Sequence, residues 1–225
     1  PVAILETIER ERITDFFMAP TMYNLIFSLP DEEKAKYDVS SVRCVISAGA
    51  PLHTRTKDAI LDFFKNAELW EAYGSTEAGL VTLCRPEDQL RKLGTIGREV
   101  FGVDRIKVLD EEGNELPPGQ PGEIYFEGGL DFEYLNDPDK TAESRDERGW
   151  KTVGDIGYLD EDGYLYLTDR RHHMIISGGV NIYPQEVAAV VAACPGVDEV
   201  AVIGTPDPDW GEIAVAFVAG RGVDR

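Results

Sequence analysis

Two short glycine-bearing segments hold the residue types best suited to chemistry: Ser47-Ala48-Gly49-Ala50-Pro51 and Tyr73-Gly74-Ser75-Thr76-Glu77. Glycine lets a ligand approach the backbone closely, and a Ser or Thr hydroxyl beside a helix start can donate to phosphate oxygens. Glu77 offers the carboxylate oxygen that a hard cation such as Mg2+ takes together with phosphate. A third segment, Trp150-Lys151-Thr152-Val153-Gly154-Asp155, ends in a carboxylate able to accept both hydroxyls of a ribose, and Arg170 follows at a predicted strand end. Each residue also has a structural alternative. Gly49 can end a strand, Thr76 can cap a helix, Asp155 can bond its own turn, and Arg170 can lie on the surface. Two such turns after neighbouring strands shift the balance towards a nucleotide pocket, because ligands of open α/β sheets bind beyond the carboxyl ends of the strands.

The elements that would carry these residues are legible as apolar periodicity. Val2 to Glu11 places Ile4, Leu5 and Ile8 on one helical face. Ile13 to Met18 reads as a buried strand, and Tyr23 to Leu29 as a helix stopped by Pro30. Val42 to Ala48 is an apolar strand running into the first glycine turn, a helix extends to about Lys65, and Leu69 to Ala72 is the next strand. Strand, turn, helix, strand is the signature of a parallel α/β sheet. From about Gly94 the texture changes. Arg105 to Leu109 and Glu123 to Glu127 read as strands, and Gly157 to Asp160 with Tyr164 to Thr168 as a hairpin about Glu161-Asp162-Gly163, giving an antiparallel sheet of barrel-like character. Beyond Arg170 come a short apolar strand at Met174 to Ile176, a helix opened by Pro184, and strands at Val200 to Ile203 and Ala214 to Val218. The expected boundary falls near Asp169 to His172, dividing a large α/β portion, residues 1–169, from the beginning of a small α+β domain, residues 170–225.

Four motifs in order then resemble one family. Tyr73-Gly74-Ser75-Thr76-Glu77, Val153-Gly154-Asp155, Asp169-Arg170 with Met174-Ile175-Ile176-Ser177-Gly178-Gly179, and Asn181-Ile182-Tyr183-Pro184-Gln185-Glu186 are similar to the adenylate-forming, AMP-binding superfamily. That superfamily includes acyl-CoA and aryl-CoA synthetases, luciferases and the adenylation domains of peptide synthetases, and the likeness runs over essentially the whole chain. The Ser-Gly-Gly and Asn-Ile-Tyr-Pro runs look most like the acyl- and aryl-CoA ligases. The resemblance implies that a carboxylic acid attacks the α-phosphate of ATP, giving an acyl-adenylate and pyrophosphate, and that the thiol of coenzyme A then displaces AMP. It implies that Tyr73 stacks on adenine against Gly49, Ala50 and Pro51, with Gly74 and Ser75 in the same segment. Thr76 would bond the α-phosphate, Glu77 would ligate Mg2+, and Asp155 would hold the ribose hydroxyls with Arg170 assisting. Ser177, Gly178 and Gly179 would face the pantetheine of CoA. The family pivots its small domain at the position of His172, usually Asp or Lys, so histidine there departs from the pattern. A surface-loop histidine is the alternative for His172, and His53 is expected to be an exposed helix residue.

Two parts of the family pattern are not found: the Ser/Thr/Gly-rich loop ending in Lys-Gly, and the lysine near the family's C-terminus. The chain is therefore expected to be an internal piece with little activity by itself. The alternatives are an adenylation domain that loads a carrier protein, or a nucleotide-binding piece without turnover. The acid is not readable, since Gly74, Ser75, Ala78 and Gly79 are small and select nothing; nor is the oligomeric state.

Composition limits the partners. The 225 residues are 43% hydrophobic and 28% charged, ordinary for a globular chain, and carry a net charge of −20. Such a charge disfavours broad contacts with nucleic acid or an anionic membrane, and it requires an anionic ligand to be held by local donors. Cys44, Cys84 and Cys194 are too dispersed for a disulfide framework or a zinc site. That cysteine pattern fits a reducing cytoplasm, and no apolar run reaches the roughly 20 residues of a membrane helix.

Overall fold

A computed structural model describes residues 1–170 and 173–220, with Arg170 described by its backbone alone. The first sheet has five strands in the order β1 (Asp15–Met18), β2 (Cys44–Ala48), β3 (Glu68–Ser75), β4 (Gly79–Cys84), β5 (Arg98–Glu99). Strands β1, β2 and β3 are parallel, and β3 to β5 are antiparallel. Helices α1 (Val2–Glu11), α2 (Pro20–Phe27), α3 (Asp31–Lys34) and α4 (Thr54–Phe63) are interleaved with these strands. Strands β6 (Val103–Leu109), β7 (Gly122–Gly128), β8 (Asp155–Leu159) and β9 (Leu165–Arg170) form a second sheet in that order, and helix α5 (Pro138–Glu143) lies between β7 and β8 in the chain. The last sheet runs β11 (Val180–Ile182), β10 (Ile175–Ser177), β13 (Gly211–Gly220), β12 (Val197–Asp207), with α6 (Pro184–Ala192) against β12.

The chain divides into two compact units. One comprises Pro1–Ile106, Phe126–Glu143 and Asp162–Tyr166; the other comprises Lys107–Tyr125, Ser144–Glu161 and Leu167–Arg225.

The core of the first unit forms because α1, α2 and α4 each turn one apolar stripe inward. Leu5, Ile8, Tyr23, Ile26, Ile60 and Phe64 are buried there with Val45 and Leu69 of the sheet. Burying side chains of this size contributes about 1.5–3 kcal/mol each before conformational entropy is subtracted. Tyr23 is buried, and its hydroxyl donates to the carbonyl of Ile46 at 2.9 Å, so the polar end of the ring is satisfied inside the core.

Three sequence expectations are corrected. The strand expected to be buried at Ile13 to Met18 is the edge strand β1, with Phe17 62% exposed and only Met18 buried, because an edge has a sheet neighbour on one side alone. The helix expected at Tyr23 to Leu29 begins three residues earlier, at Pro20, whose missing N–H costs nothing in the first helical turn. The third correction concerns the segment from Tyr73 to Glu77. The strand expected to end at Ala72 runs on: Tyr73, Gly74 and Ser75 continue β3, and the turn falls at Thr76, Glu77 and Ala78, the tip of the β3–β4 hairpin.

Candidate functional site

The hairpin has a simple steric cause. At Gly74 the register shifts, and a Cβ there would stand 2.1 Å from the carbonyl oxygen of Gly79. Only glycine lets the strands approach so closely, and the approach lets the chain turn back as a hairpin. Alternation along β3 puts Leu69, Glu71 and Tyr73 on the buried face, while Gly74 and Thr76 are exposed and Ser75 and Glu77 are half-buried. Tyr73 is 8% exposed. The Ser75 hydroxyl oxygen accepts from the N–H of Ala78 at 3.0 Å, which fixes the tip.

Glu77 is held ionised. Its own backbone N–H, acting against partial burial, and hydrogen bonds from Ser75 and Tyr134 lower its carboxyl below the usual range, with the charge of Lys140 adding to the effect. The Tyr134 hydroxyl donates to Glu77 Oε1 at 3.3 Å, and Lys140 Nζ lies 4.1 Å from the centre of the Tyr134 ring.

Parallel pairing sets Ala48 at the end of β2 beside Ala72, one residue before Tyr73. The Gly49-Ala50-Pro51 segment therefore leaves β2 next to the start of the Tyr73–Glu77 segment. Gly49 has φ +87°, a left-handed conformation that glycine adopts without strain, and Ala50 and Pro51 are exposed. The chain enters α4 after His53, which is exposed as expected. The structure thus brings together Gly49, Ala50, Pro51, Tyr73, Gly74, Ser75, Thr76 and Glu77 in one unit.

Asp155 and the Ser177–Gly179 turn belong to the other unit. Asp155 opens β8; it is 5% exposed, after Gly154 at φ +77°. Upstream, the Thr152 hydroxyl donates to Glu123 Oε1 at 3.0 Å and accepts from the N–H of Gly154 at 3.0 Å, fixing the approach to Asp155. Ser177 pairs with Val180, so Gly178 and Gly179, at φ +57° and +81°, form the two-residue turn of a hairpin. The Gly178 N–H donates to the carbonyl of Trp210 at 2.8 Å, and a Cβ on Gly178 would meet the Trp210 ring at 2.5 Å. Asn181 lies in β11, and the Asp169 carboxylate caps α6, accepting the Gln185 N–H at 3.0 Å. The Arg170 side chain and His172 lie outside the described residues. His173 is exposed, with Nδ1 3.5 Å from Asp169 Oδ1.

The sequence reading passed over Tyr134, Lys140, Trp210 and the buried pair Lys57–Glu71. For Glu71 a signal existed, since alternation places it on the same inward face as Leu69 and Tyr73. Tyr134 and Trp210 reach their partners only through folding, across 57 and 32 residues of chain.

The profile of the AMP-binding enzyme family matches residues 1–130, more than half of the sequence. The chain belongs to the AMP-binding enzyme family. A second profile, the AMP-binding enzyme C-terminal domain, matches residues 186–224. Feruloyl-CoA synthase of Amycolatopsis sp is 39% identical over 221 residues, 97% of this chain and 44% of that enzyme. Long-chain-fatty-acid–CoA ligase FadD13 of Mycobacterium tuberculosis (strain ATCC 25618 / H37Rv) is 40% identical over 215 residues, 94% of this chain and 41% of that enzyme. Among solved structures, ATP-bound MatB from Rhodopseudomonas palustris superposes with a TM-score of 0.86 at 33% identity, covering 99% of this chain and 44% of that one. The chain thus spans less than half the length of these relatives. The α/β architecture is that of the adenylate-forming enzymes, with several open sheets and no closed barrel among the described residues. No helix among the described residues is long and apolar enough to cross a membrane.

Proposed function

We propose that the protein is an ATP-dependent carboxylate–CoA ligase, forming an acyl-adenylate and then an acyl-CoA thioester. The observation that carries this reading is the β2–β3 register, which sets Gly49-Ala50-Pro51 beside Tyr73-Gly74-Ser75-Thr76-Glu77 in a chain of the AMP-binding family. In this reading Tyr73 and the Gly49–Pro51 segment flank the adenine, Thr76 donates to the α-phosphate, and Asp155 accepts the ribose hydroxyls with Arg170 assisting. Attack by the carboxylate gathers negative charge on the α-phosphate oxygens, so a hydroxyl donor at the exposed hairpin tip favours the transition state. The Ser177-Gly178-Gly179 turn exposes backbone along which the pantetheine arm of CoA would lie. Residues 1–169 act as the nucleotide-binding portion and 170–225 as the start of the small C-terminal domain, a division supported by the second profile beginning at residue 186.

Glu77 fits a Mg2+ site in its chemistry. It is ionised and half-exposed at the tip, and Mg2+ commonly takes one or two carboxylates and completes its shell with phosphate oxygens and water. Among the described residues no three His, Cys, Asp or Glu side chains converge into a protein-only cage, so Glu77 would share the ion with the nucleotide. When bound, the ion neutralises phosphate charge. Tyr134 keeps the carboxylate aimed from the hairpin tip.

Titration calorimetry of the chain with AMP tests the reading. The unaltered chain is expected to bind, and Asp155→Ala to bind at least about tenfold more weakly, the loss from removing a charged hydrogen-bond acceptor. Equal binding by both would refute the role of Asp155, and no binding by the unaltered chain would refute the nucleotide site.

A further inference from the structure

Gly154, the residue directly before Asp155, is not gripped by packing: a Cβ placed on it would meet no atom within 4 Å. Glycine has several backbone states open to it, and this one, at φ +77°, must be chosen by something else. The choice falls to a hydrogen bond, from the Gly154 N–H to Thr152 Oγ1 at 3.0 Å. Thr152 is itself held firmly. It is 3% exposed, its own N–H donates to the Ser144 carbonyl at 2.9 Å, and its hydroxyl donates to Glu123 Oε1 at 3.0 Å. Glu123 in turn pairs across β7 and β8 with Ile156, the residue after Asp155. One hydroxyl therefore closes a loop from β7 through Thr152 and Gly154 to the start of β8, and Asp155 lies on that loop.

The group at position 152 must accept from an N–H and donate to a carboxylate at once, which a hydroxyl does. A carboxylate there could not donate to Glu123, and an ammonium could not accept from Gly154. Burial of Thr152 keeps water from competing for either bond, so both hold their geometry. We propose that Thr152 is a positioning residue: by clamping Gly154 to β7 it aims the Asp155 carboxylate, and so sets how strongly the site prefers a nucleotide that carries both ribose hydroxyls. The proposal rests on the ribose role given to Asp155 above.

A mere brace of the fold would weaken every nucleotide alike, whereas a residue that aims Asp155 affects only those with ribose hydroxyls. Calorimetry with AMP and with 2′,3′-dideoxy-AMP, which lacks both hydroxyls, separates the two roles. The unaltered chain is expected to prefer AMP by about tenfold or more, the equivalent of a hydrogen bond to a charged group. Thr152→Val keeps the shape of the side chain but can neither donate nor accept. It is expected to bind the dideoxy nucleotide within about twofold of the unaltered chain while its preference for AMP falls to about threefold or less. Thr152→Ser, which keeps the hydroxyl, should restore the preference. A Val variant that retains the full preference, or that weakens both nucleotides equally, would overturn the proposal. If the Val variant does not fold, Thr152→Cys takes its place: its thiol bonds weakly, so a reduced preference is expected and an undiminished one would overturn the proposal. No preference for AMP in the unaltered chain would instead refute the ribose role of Asp155, and the proposal with it.

Discussion

Replacing Gly74 with alanine is the sharpest test of how the hairpin tip is built. The added Cβ would lie 2.1 Å from the carbonyl oxygen of Gly79 and 3.0 Å from Gly79 C and Leu80 Cα. All three neighbours are backbone atoms, so no side chain can rotate away. Comfortable non-bonded separations are about 3.5 Å, which means the strands must part by roughly 1 Å or more at the narrowest point of the hairpin. Overpacking of this kind costs up to about 3 kcal/mol. Alanine recovers about 1 kcal/mol of the entropy that glycine loses in a strand, leaving a net loss of about 2 kcal/mol. In urea denaturation followed by circular dichroism, that corresponds to a midpoint lower by about 1 M for a slope of about 2 kcal/mol per molar. Amide exchange should quicken along β3 and β4, and AMP affinity should fall with it, since Thr76 and Glu77 ride on the displaced tip. A midpoint within about 0.2 M of the unaltered chain, with protection of β3 and β4 intact, would refute the steric account of the hairpin.

Two further outcomes follow from buried charges. Lys57→Met by itself strands Glu71, and breaking such a pair from one side costs about 3–5 kcal/mol at neutral pH. Burial already raises the Glu71 carboxyl above its ordinary value despite Lys57, and a raised acid costs stability as pH climbs through its folded value. The variant should therefore regain stability as pH falls from 8 towards 5, and a flat melting profile over that range would count against the buried carboxylate. Tyr164→Phe removes the hydroxyl that donates to Asp88 Oδ2 at 2.9 Å and accepts from Arg91 at 2.7 Å, at a cost of about 1–2 kcal/mol. Burial pushes Asp88 up, but hydrogen bonds from Arg91 and Tyr164 outweigh it and hold the acid low. Its contribution is present above the unfolded value and lost as pH falls through the folded one. Acid unfolding of the Phe variant should thus begin at higher pH, and an unshifted acid limb would show that Tyr164 does not hold Asp88.

Much of the fold was legible because periodicity is a local property. Helix α1 was read at its observed bounds, and β2, α4, β6 and β7 fell within about two residues, since their apolar residues repeat at 3.6 or 2 residues and their ends carry Gly, Pro or charge. The Gly178–Gly179 turn was also readable, as two adjacent glycines suit a two-residue hairpin. What failed was the continuation of β3 past Ala72 to Ser75. A Gly-Ser-Thr-Glu run is compatible with a helix cap and with a hairpin tip alike, and the choice rests on a close backbone approach between Gly74 and Gly79 that no local pattern encodes.

The candidate site divides in the same way. Residue types and their order singled out Gly49–Pro51, Tyr73–Glu77 and Asp155, because phosphate, ribose and magnesium each call for particular donors and acceptors, while Ser177–Gly179 was picked out only by the resemblance to the family. Only the tertiary structure brought Ala48 level with Ala72, set Tyr134 on Glu77, and paired buried Glu71 with Lys57. Sequence determines which groups a chain owns and the period at which they face inward. Which groups meet is decided by strand register and burial, which act between residues distant along the chain.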